Sequence, residues 1–177
     1  MHILSWLAVN GTAAIVEFPG VLYRGGAEQK IRKYLIDNNY VDAVIQLPAD
    51  LFFGTTIATC IIVLKKSKTD NSVLFVKASD EFKRVGNKNK LTPDNQQNIL
   101  MALDVRDDED HFAKLVSNED IAANDYNISV SSYVDEQDTR EAVDIAALNA
   151  EIAEIVARQA ELRISIDAIV ADLEGSR

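Results

Sequence analysis

A heptad repeat of apolar residues near the end of the sequence, from Glu141 to Leu173, predicts one long helix. Asp144 is its predicted N-cap, and Gly175 ends the pattern. About 30 residues at a rise of about 1.5 Å give a rod of roughly 45 Å, longer than a small domain. The a and d positions, sustained over four heptads, are Ile145, Leu148, Ile152, Ile155, Gln159, Leu162, Ile166, Ile169 and Leu173.

The narrow seam formed by these positions favours pairing with another helix. Two positions in seven are typical of a coiled coil, whereas a helix on a domain core carries a wider stripe. A single polar seam residue such as Gln159 sets the register of such structures. We therefore predict that residues 139–177 form an interaction helix, paired with a second copy or with another protein. The alternative is a core helix folded back on the chain's own sheet.

Short apolar runs alternate with helical spacing in residues 1–78 and indicate an α/β fold. Such alternation predicts a mostly parallel sheet with helices on its faces. The link between the second and third strands is too short for a crossover helix, so these two should run antiparallel. Strands are predicted at 11–18, 41–47, 58–64 and 72–77, and helices at 1–9 and 27–39.

Two loops of this sheet are the expected place for ligands. Ligands bind beyond the carboxyl ends of parallel strands, and residues 19–26 and 48–55 leave such ends. Four strands without a first strand–helix–strand unit also make an incomplete sheet. Its open, apolar edge is a feature that proteins avoid. We therefore expect upstream residues or a partner chain to complete the sheet.

Residues 79–138 carry weaker signals and are interpreted as an irregular, partly helical connector. Thr92 and Pro93 are typical of the cap and first position of a helix, which should run to about Leu103. A short helix should begin at Ser117. The acidic stretch 105–111 is interpreted as a solvated loop, and residues 128–133 as extended.

The net charge of −10 is unevenly distributed. Residues 1–90 contain 12 Lys and Arg against 8 Asp and Glu, a net of +4, and residues 91–177 contain 6 against 20, a net of −14. Such asymmetry suggests different partners for the two parts. A basic first part is compatible with nucleic acid, although +4 also fits an ordinary solvated surface.

Several classes of protein and site are not expected. No apolar run approaches the roughly 18 residues of a membrane span, and the start lacks the basic flank of a signal peptide, so we expect a cytoplasmic protein. Cys60 is the only cysteine, which excludes an internal disulfide, and it is interpreted as a core residue. His2 and His111 have no neighbours in ligand spacing, so no metal site is predicted.

Three segments together resemble one family of DNA-modifying enzymes. They are FPGVLYRGGAE at 18–28, AVIQLPADLFFGT at 43–55 running on into CIIVL at 60–64, and NDYNISVSSY at 124–133. In this order, with a terminal heptad helix, they resemble the modification subunits of type I restriction-modification systems, which are adenine-N6 DNA methyltransferases. The resemblance covers essentially the whole chain. It implies the C-terminal part of a Rossmann-like methyltransferase sheet, in which an antiparallel last strand lies between two parallel strands.

The resemblance also implies that two motifs of this family are missing. The family binds S-adenosylmethionine with a glycine-rich loop and acts through an Asn/Asp-Pro-Pro-Phe/Tyr tetrad. No Gly-x-Gly occurs here, and the only prolines, Pro19, Pro48 and Pro93, are not adjacent. We therefore expect no catalytic residue, no bound S-adenosylmethionine and no methylation from this chain in isolation. The alternative is a non-enzymatic scaffold with an interaction helix.

Site residues and partners follow from the same resemblance. Phe52 and Phe53 match the position that stacks on the target base, with Phe52 preferred and one of the two rings expected in the core. The expected DNA contacts are Arg24, Gly25, Gly26, Lys30, Thr55 and Thr56, with Arg32 and Lys33 adding positive charge. The expected partners are DNA, the specificity subunit, which would bind the heptad helix, and the restriction subunit.

Overall fold

The computed structural model describes residues 1–136 and 145–175, which fall in two compact units, Met1–Gln137 and Asp138–Arg177. Helices of the first unit are α1 (His2–Trp6), α2 (Ala27–Asp37), α3 (Pro93–Val105) and α4 (Asn118–Ala123), with 3-10 helices at Pro19–Leu22 and Val130–Ser132. Its strands are β1 (Thr12–Glu17), β2 (Val41–Gln46), β3 (Cys60–Lys65), β4 (Ser72–Lys77), β5 (Lys83–Val85), β6 (Lys88–Lys90) and β7 (Ala113–Ser117). The second unit contains α5 (Ile145–Gly175).

The main sheet is mixed, with strand order β1–β3–β2–β4–β7. Only β2 and β4 pair in parallel, whereas β3 is antiparallel to both its neighbours and β7 is antiparallel to β4. The prediction of a mostly parallel sheet is therefore wrong, because β3 and β7 each enter beside strands of opposite direction. The predicted antiparallel pairing of the second and third strands is confirmed. The implied position of the third strand is also confirmed, because β3 lies between β1 and β2, which run in the same direction.

Helices cover both faces of this sheet. On one face Val44 and Phe75 pack with Ile36 of α2 and Ile121 of α4. On the other face the core includes Ile99 of α3. β2 is buried on both faces except at its last residue, as its mostly apolar sequence predicts, and Asp42 is a charged residue among the buried ones. β1 forms a lateral edge with exposed apolar surface, which agrees with the expected open edge.

Residues 79–136 are more regular than the sequence indicated. α3 follows the Thr92 cap, and α4 follows Ser117, both as predicted. The β5–β6 hairpin and β7 were not predicted, and Val130–Ser132 is a 3-10 helix within a segment predicted to be extended. Leu115 of β7 donates its N–H to the Asp108 carboxylate, which the hydrogen bond from Lys114 holds at a lowered pKa. One acid of the predicted solvated loop therefore anchors a strand.

The helix α5 covers the heptad repeat over 31 residues. Its seam side chains are exposed, and Leu148, the least exposed among the large apolar ones, is 47% exposed. The predicted cap Asp144 lies outside the described residues. Pairing of α5 with another helix stays a prediction. No helix in the described ranges has the length and hydropathy needed to cross a bilayer.

Candidate functional site

Three loops meet at one edge of the sheet. β1, β2 and β4 point the same way, so the loops that follow them leave from the same edge. β1 and β2 are separated only by β3, which places their carboxyl ends about 10 Å apart. The two loops predicted to bind ligands therefore lie side by side, and the loop after β4 leads to the β5–β6 hairpin beside them.

The loop after β2 presents two aromatic rings to solvent. We call residues 50–56 the aromatic loop. Asp50 and Gly54 have positive φ angles of 55° and 79°, so the chain turns sharply on both sides of the rings. Phe52 is 39% exposed, and Phe53 is fully exposed. The expectation that one ring fills the core is wrong, because neither ring belongs to the buried clusters on the two faces of the sheet.

The hairpin binds the aromatic loop through polar contacts. Lys88 donates from Nζ to the carbonyl oxygens of Phe52, at 3.1 Å, and Thr55, at 3.0 Å. The buried Asn89 donates to the Ala49 carbonyl at 2.8 Å. Its backbone N–H donates to the Asp50 carbonyl, and Arg84 pairs with the Asp50 carboxylate at 3.0 Å. These contacts fix the backbone of the loop, while Phe53 stays fully exposed and Phe52 partly exposed.

Sequence reasoning missed these hairpin residues. The available signal was the dipeptide Gly86-Asn87 between two short runs, a pattern typical of a two-residue hairpin turn. The two strands were not recognised because residues 83–90 contain four cations and lack the apolar alternation that indicates a strand.

The two predicted threonines differ in their contacts. Thr55 Oγ1 accepts the backbone N–H of Ile57 at 3.1 Å and so stabilises the end of the turn. Thr56 is exposed at the rim of the loop. Both are placed beside the phenylalanines, as their spacing requires, and their contact with DNA remains a prediction.

The predicted residues after β1 lie at the start of α2. Gly26, with a positive φ of 71°, is the N-cap residue of α2, and a Cβ on either Gly25 or Gly26 would meet no atom within 4 Å. The surface at this helix start is therefore open. Arg24 is largely exposed and only 3.8 Å from Glu28, and Lys30 is exposed one turn along the helix.

Arg32 has a structural position that the sequence reasoning did not foresee. It was grouped with the exposed cations, but it is 4% exposed and donates to the carbonyls of Tyr126, at 2.7 Å, and Val21, at 2.9 Å. Burial lowers the pKa of its guanidinium. Lys33 is also engaged, because it pairs with Asp37 at 2.9 Å. Lys30 is therefore the cation of this group on α2 whose side chain has no hydrogen bond or ion pair among the described residues.

Arg32 joins two of the three segments that carry the resemblance. Its contacts link 18–28 to 124–133, and the N–H of Ile128 donates to the Leu22 carbonyl at 3.0 Å. Asp125 and Tyr126 both have positive φ angles, which aim the Tyr126 carbonyl at the guanidinium. The third segment therefore supports the loop after β1 and lies beneath it.

Cys60 should not react with thiol reagents in the folded chain. It is buried at the start of β3, its thiol donates to the Glu17 carbonyl, and burial raises the pKa of the thiol to about 11. Because the thiolate is the reactive form, we expect no labelling by a maleimide at neutral pH and complete labelling in denaturant. Rapid labelling of the native chain would contradict this description of the core.

The residues that the structure describes form no cluster of metal ligands. Among the described residues, no three His, Cys, Asp or Glu side chains are grouped as metal ligands. The loops at the carboxyl edge contain no Gly-x-Gly sequence, and the chain has no Pro-Pro pair. Binding of a base or of a phosphate backbone by these loops stays a prediction.

Known proteins similar to this chain in sequence and in fold indicate its family. The methylase subunit of the type I restriction enzyme MpnII from Mycoplasma pneumoniae is 45% identical over 175 residues, 98% of this chain and 32% of the relative. The solved methyltransferase subunit of a type I restriction-modification system from Streptococcus thermophilus is 47% identical, with a TM-score of 0.69 over 71% of this chain and 27% of that one. A structure concerning complex assembly of a type I system matches 99% of this chain and 39% of its own at a TM-score of 0.60, and its 15% identity shows the fold alone.

In fold and sequence the chain is similar to part of the methyltransferase subunits of type I restriction-modification systems. The sequence profile of N-6 DNA Methylase matches residues 1–142, so the chain belongs to the N-6 DNA methylase family. It spans about a third of the length of the Mycoplasma relative.

Proposed function

We propose that this chain is the C-terminal part of a modification subunit that methylates adenine N6 in DNA, and that it supplies contacts to the target base and its strand. The observation that carries the proposal is the aromatic loop, which holds two exposed phenylalanines at the ligand-binding edge of the sheet. In the whole enzyme, S-adenosylmethionine supplies the methyl group. Residues outside this sequence hold that cofactor.

The aromatic loop acts on an adenine that has left the duplex. A flipped base loses the stacking of its neighbours, and an aromatic side chain restores about 1–3 kcal/mol per base. Phe52 is the preferred platform, because its own carbonyl is held by Lys88 and the ring therefore starts from a fixed backbone. Phe53 lies next to it and covers the outer side of the site.

The neighbouring groups bind the backbone of the same strand. The open helix start at Gly25 and Gly26 presents N–H groups with partial positive charge, which suit a phosphate. Arg24 and Lys30 add positive charge at this end of α2. Thr55 and Thr56 are within the aromatic loop and contact the base or its sugar-phosphate.

The helix α5 is the docking element for other subunits. Its exposed seam is suited to a helix of the specificity subunit, which reads the DNA sequence, and the acidic second part of the chain favours protein over DNA. The restriction subunit joins the assembled complex. Self-association through the same seam would compete with specificity-subunit binding.

Replacing Phe52 by alanine in the complete enzyme should lower kcat/KM for methyl transfer about 10- to 100-fold, the equivalent of the lost stacking. Radioactive methyl transfer to a recognised duplex measures it. Phe53→Ala should have a smaller effect. Tyr34→Ala, which removes an exposed ring from α2, is the matched control and should leave turnover unchanged. Wild-type turnover in both phenylalanine variants would refute the proposed role of the loop.

A further inference from the structure

We propose that Lys83 and Lys90 of the β5–β6 hairpin together bind a phosphate of the DNA strand that carries the target base. The inference rests on the proposed function and adds to it a specific backbone contact. Neither lysine belongs to the segments that carry the resemblance, and neither touches the aromatic loop through a hydrogen bond among the described residues.

The first observation is a pair of facing lysines whose positive charges are not neutralised by an acidic side chain among the described residues. Lys83 lies directly opposite Lys90 in the hairpin register. Residues in such positions have Cβ atoms about 4.5–5.5 Å apart, and like charges there destabilise the pair. Both side chains are exposed, and the ion pairs of the described residues include neither of them. An anion held between the two ammonium groups would remove this conflict.

The second observation is the orientation of the pair toward the aromatic loop. Alternate residues of a strand share a face, so Lys90 is on the same face as Lys88. Lys88 is the residue whose Nζ binds the carbonyls of Phe52 and Thr55. The two residue positions are separated by about 7 Å along the strand. A phosphate on the lysine pair would therefore lie close to a base stacked on the loop.

The third observation favours a phosphodiester over an acidic protein segment. Cations beside exposed aromatic rings are the usual arrangement for single-stranded or flipped nucleotides, because backbone and base are bound at once. Arg84, the other exposed cation of the hairpin strands, is matched by Asp50. Unlike Arg84, Lys83 and Lys90 therefore have positive charges that no acidic side chain of the described residues neutralises.

The test uses the 177-residue chain, ¹⁵N-labelled, and a short DNA duplex in which one adenine faces an abasic site, so that extrusion costs little. Amide shifts map the contact, and the titration is repeated over a range of salt concentrations. We expect shifts at residues 83–90. The slope of log Kd against log salt should weaken by roughly 1 in K83Q/K90Q, because the two lysines neutralise one phosphate, and by less in each single variant. K83R/K90R should restore the wild-type slope, and K114Q, which removes an exposed lysine on β7, should leave the slope unchanged.

Each outcome decides the inference. Loss of slope in the glutamine variants with an unchanged or higher Tm supports it, because removing a like-charge pair does not weaken the hairpin. The inference is overturned by an unchanged slope in K83Q/K90Q, by shifts confined to other residues, or by the absence of any DNA-dependent shift. Failure of the proposed function is recognised separately, by full methyl transfer in the phenylalanine variants.

Discussion

Replacing Arg32 by methionine should lower the free energy of unfolding of the first unit by about 3 kcal/mol. The guanidinium is buried and donates to the carbonyls of Val21 and Tyr126. Methionine fills much of the volume but donates nothing, so two buried acceptors lose their partner. Hydrogen bonds to charged groups contribute about 1.5–3 kcal/mol each, and part of the loss is offset by removing a buried charge.

Thermal unfolding followed by circular dichroism measures this effect. A loss of about 3 kcal/mol corresponds to a decrease in Tm of roughly 10 °C for a unit of this size. Lys30→Met is the matched control, since Lys30 lies on the same helix, is exposed and has no side-chain hydrogen bond or ion pair among the described residues. It should change Tm little. Equal Tm values for the two variants would show that Arg32 does not hold the loop after β1 to the segment at 124–133.

Placing aspartate at Ile155 and Leu162 should weaken binding of the complete modification subunit to its specificity subunit by at least about 100-fold. Each seam residue that is buried on association contributes about 1.5–3 kcal/mol, so two of them account for roughly 3–6 kcal/mol before any cost of burying the new carboxylates. Both positions are exposed on α5 in the described chain. The loss should therefore come from the interface and leave the helix itself formed.

Isothermal titration calorimetry with the purified specificity subunit measures this affinity. Ile164→Asp is the control, because Ile164 is 70% exposed on α5 but lies outside the seam. Sedimentation of the same variants reports whether the seam also mediates self-association. If the seam variant binds the specificity subunit as tightly as Ile164→Asp does, the heptad positions are not the docking surface.

The parts of this fold that were predictable are those with a local physical signature. β2 is mostly apolar because both of its faces are buried. α3 begins where the Thr92 side chain accepts the N–H of Asn95 and where Pro93 has no N–H that would need a partner. The heptad spacing alone predicted α5, because a repeat of that length is typical of a long helix and not of a strand or a loop.

The elements that were missed depend on contacts between distant residues. β7 has five residues and is held by pairing with β4 and by Asp108 rather than by its own pattern. The hairpin is polar because its partner is the backbone of the aromatic loop, not an apolar core. Arg32 was grouped with the surface cations, yet it precedes Ile36 by four residues, and that spacing places both on the buried face of α2.

The candidate site was predictable only in part. The resemblance predicted that Phe52 and Phe53 lie in a loop after a strand. The order of β1, β3 and β2 in the sheet places that loop beside Gly25 and Gly26. Exposure of both rings could not be read from the sequence, since it depends on Lys88 holding the loop backbone from outside.

Photo-crosslinking tests the central claim, that the aromatic loop receives the target base, most directly. The DNA duplex contains the recognition sequence, with 5-iodouracil in place of the target adenine. The complex of this duplex with the complete enzyme is irradiated, and mass spectrometry locates the crosslinked residue. The account predicts an adduct on Phe52, reduced in Phe52→Ala and retained in Tyr34→Ala. An adduct that forms in equal yield in Phe52→Ala, or one found only on residues outside the aromatic loop, would contradict it.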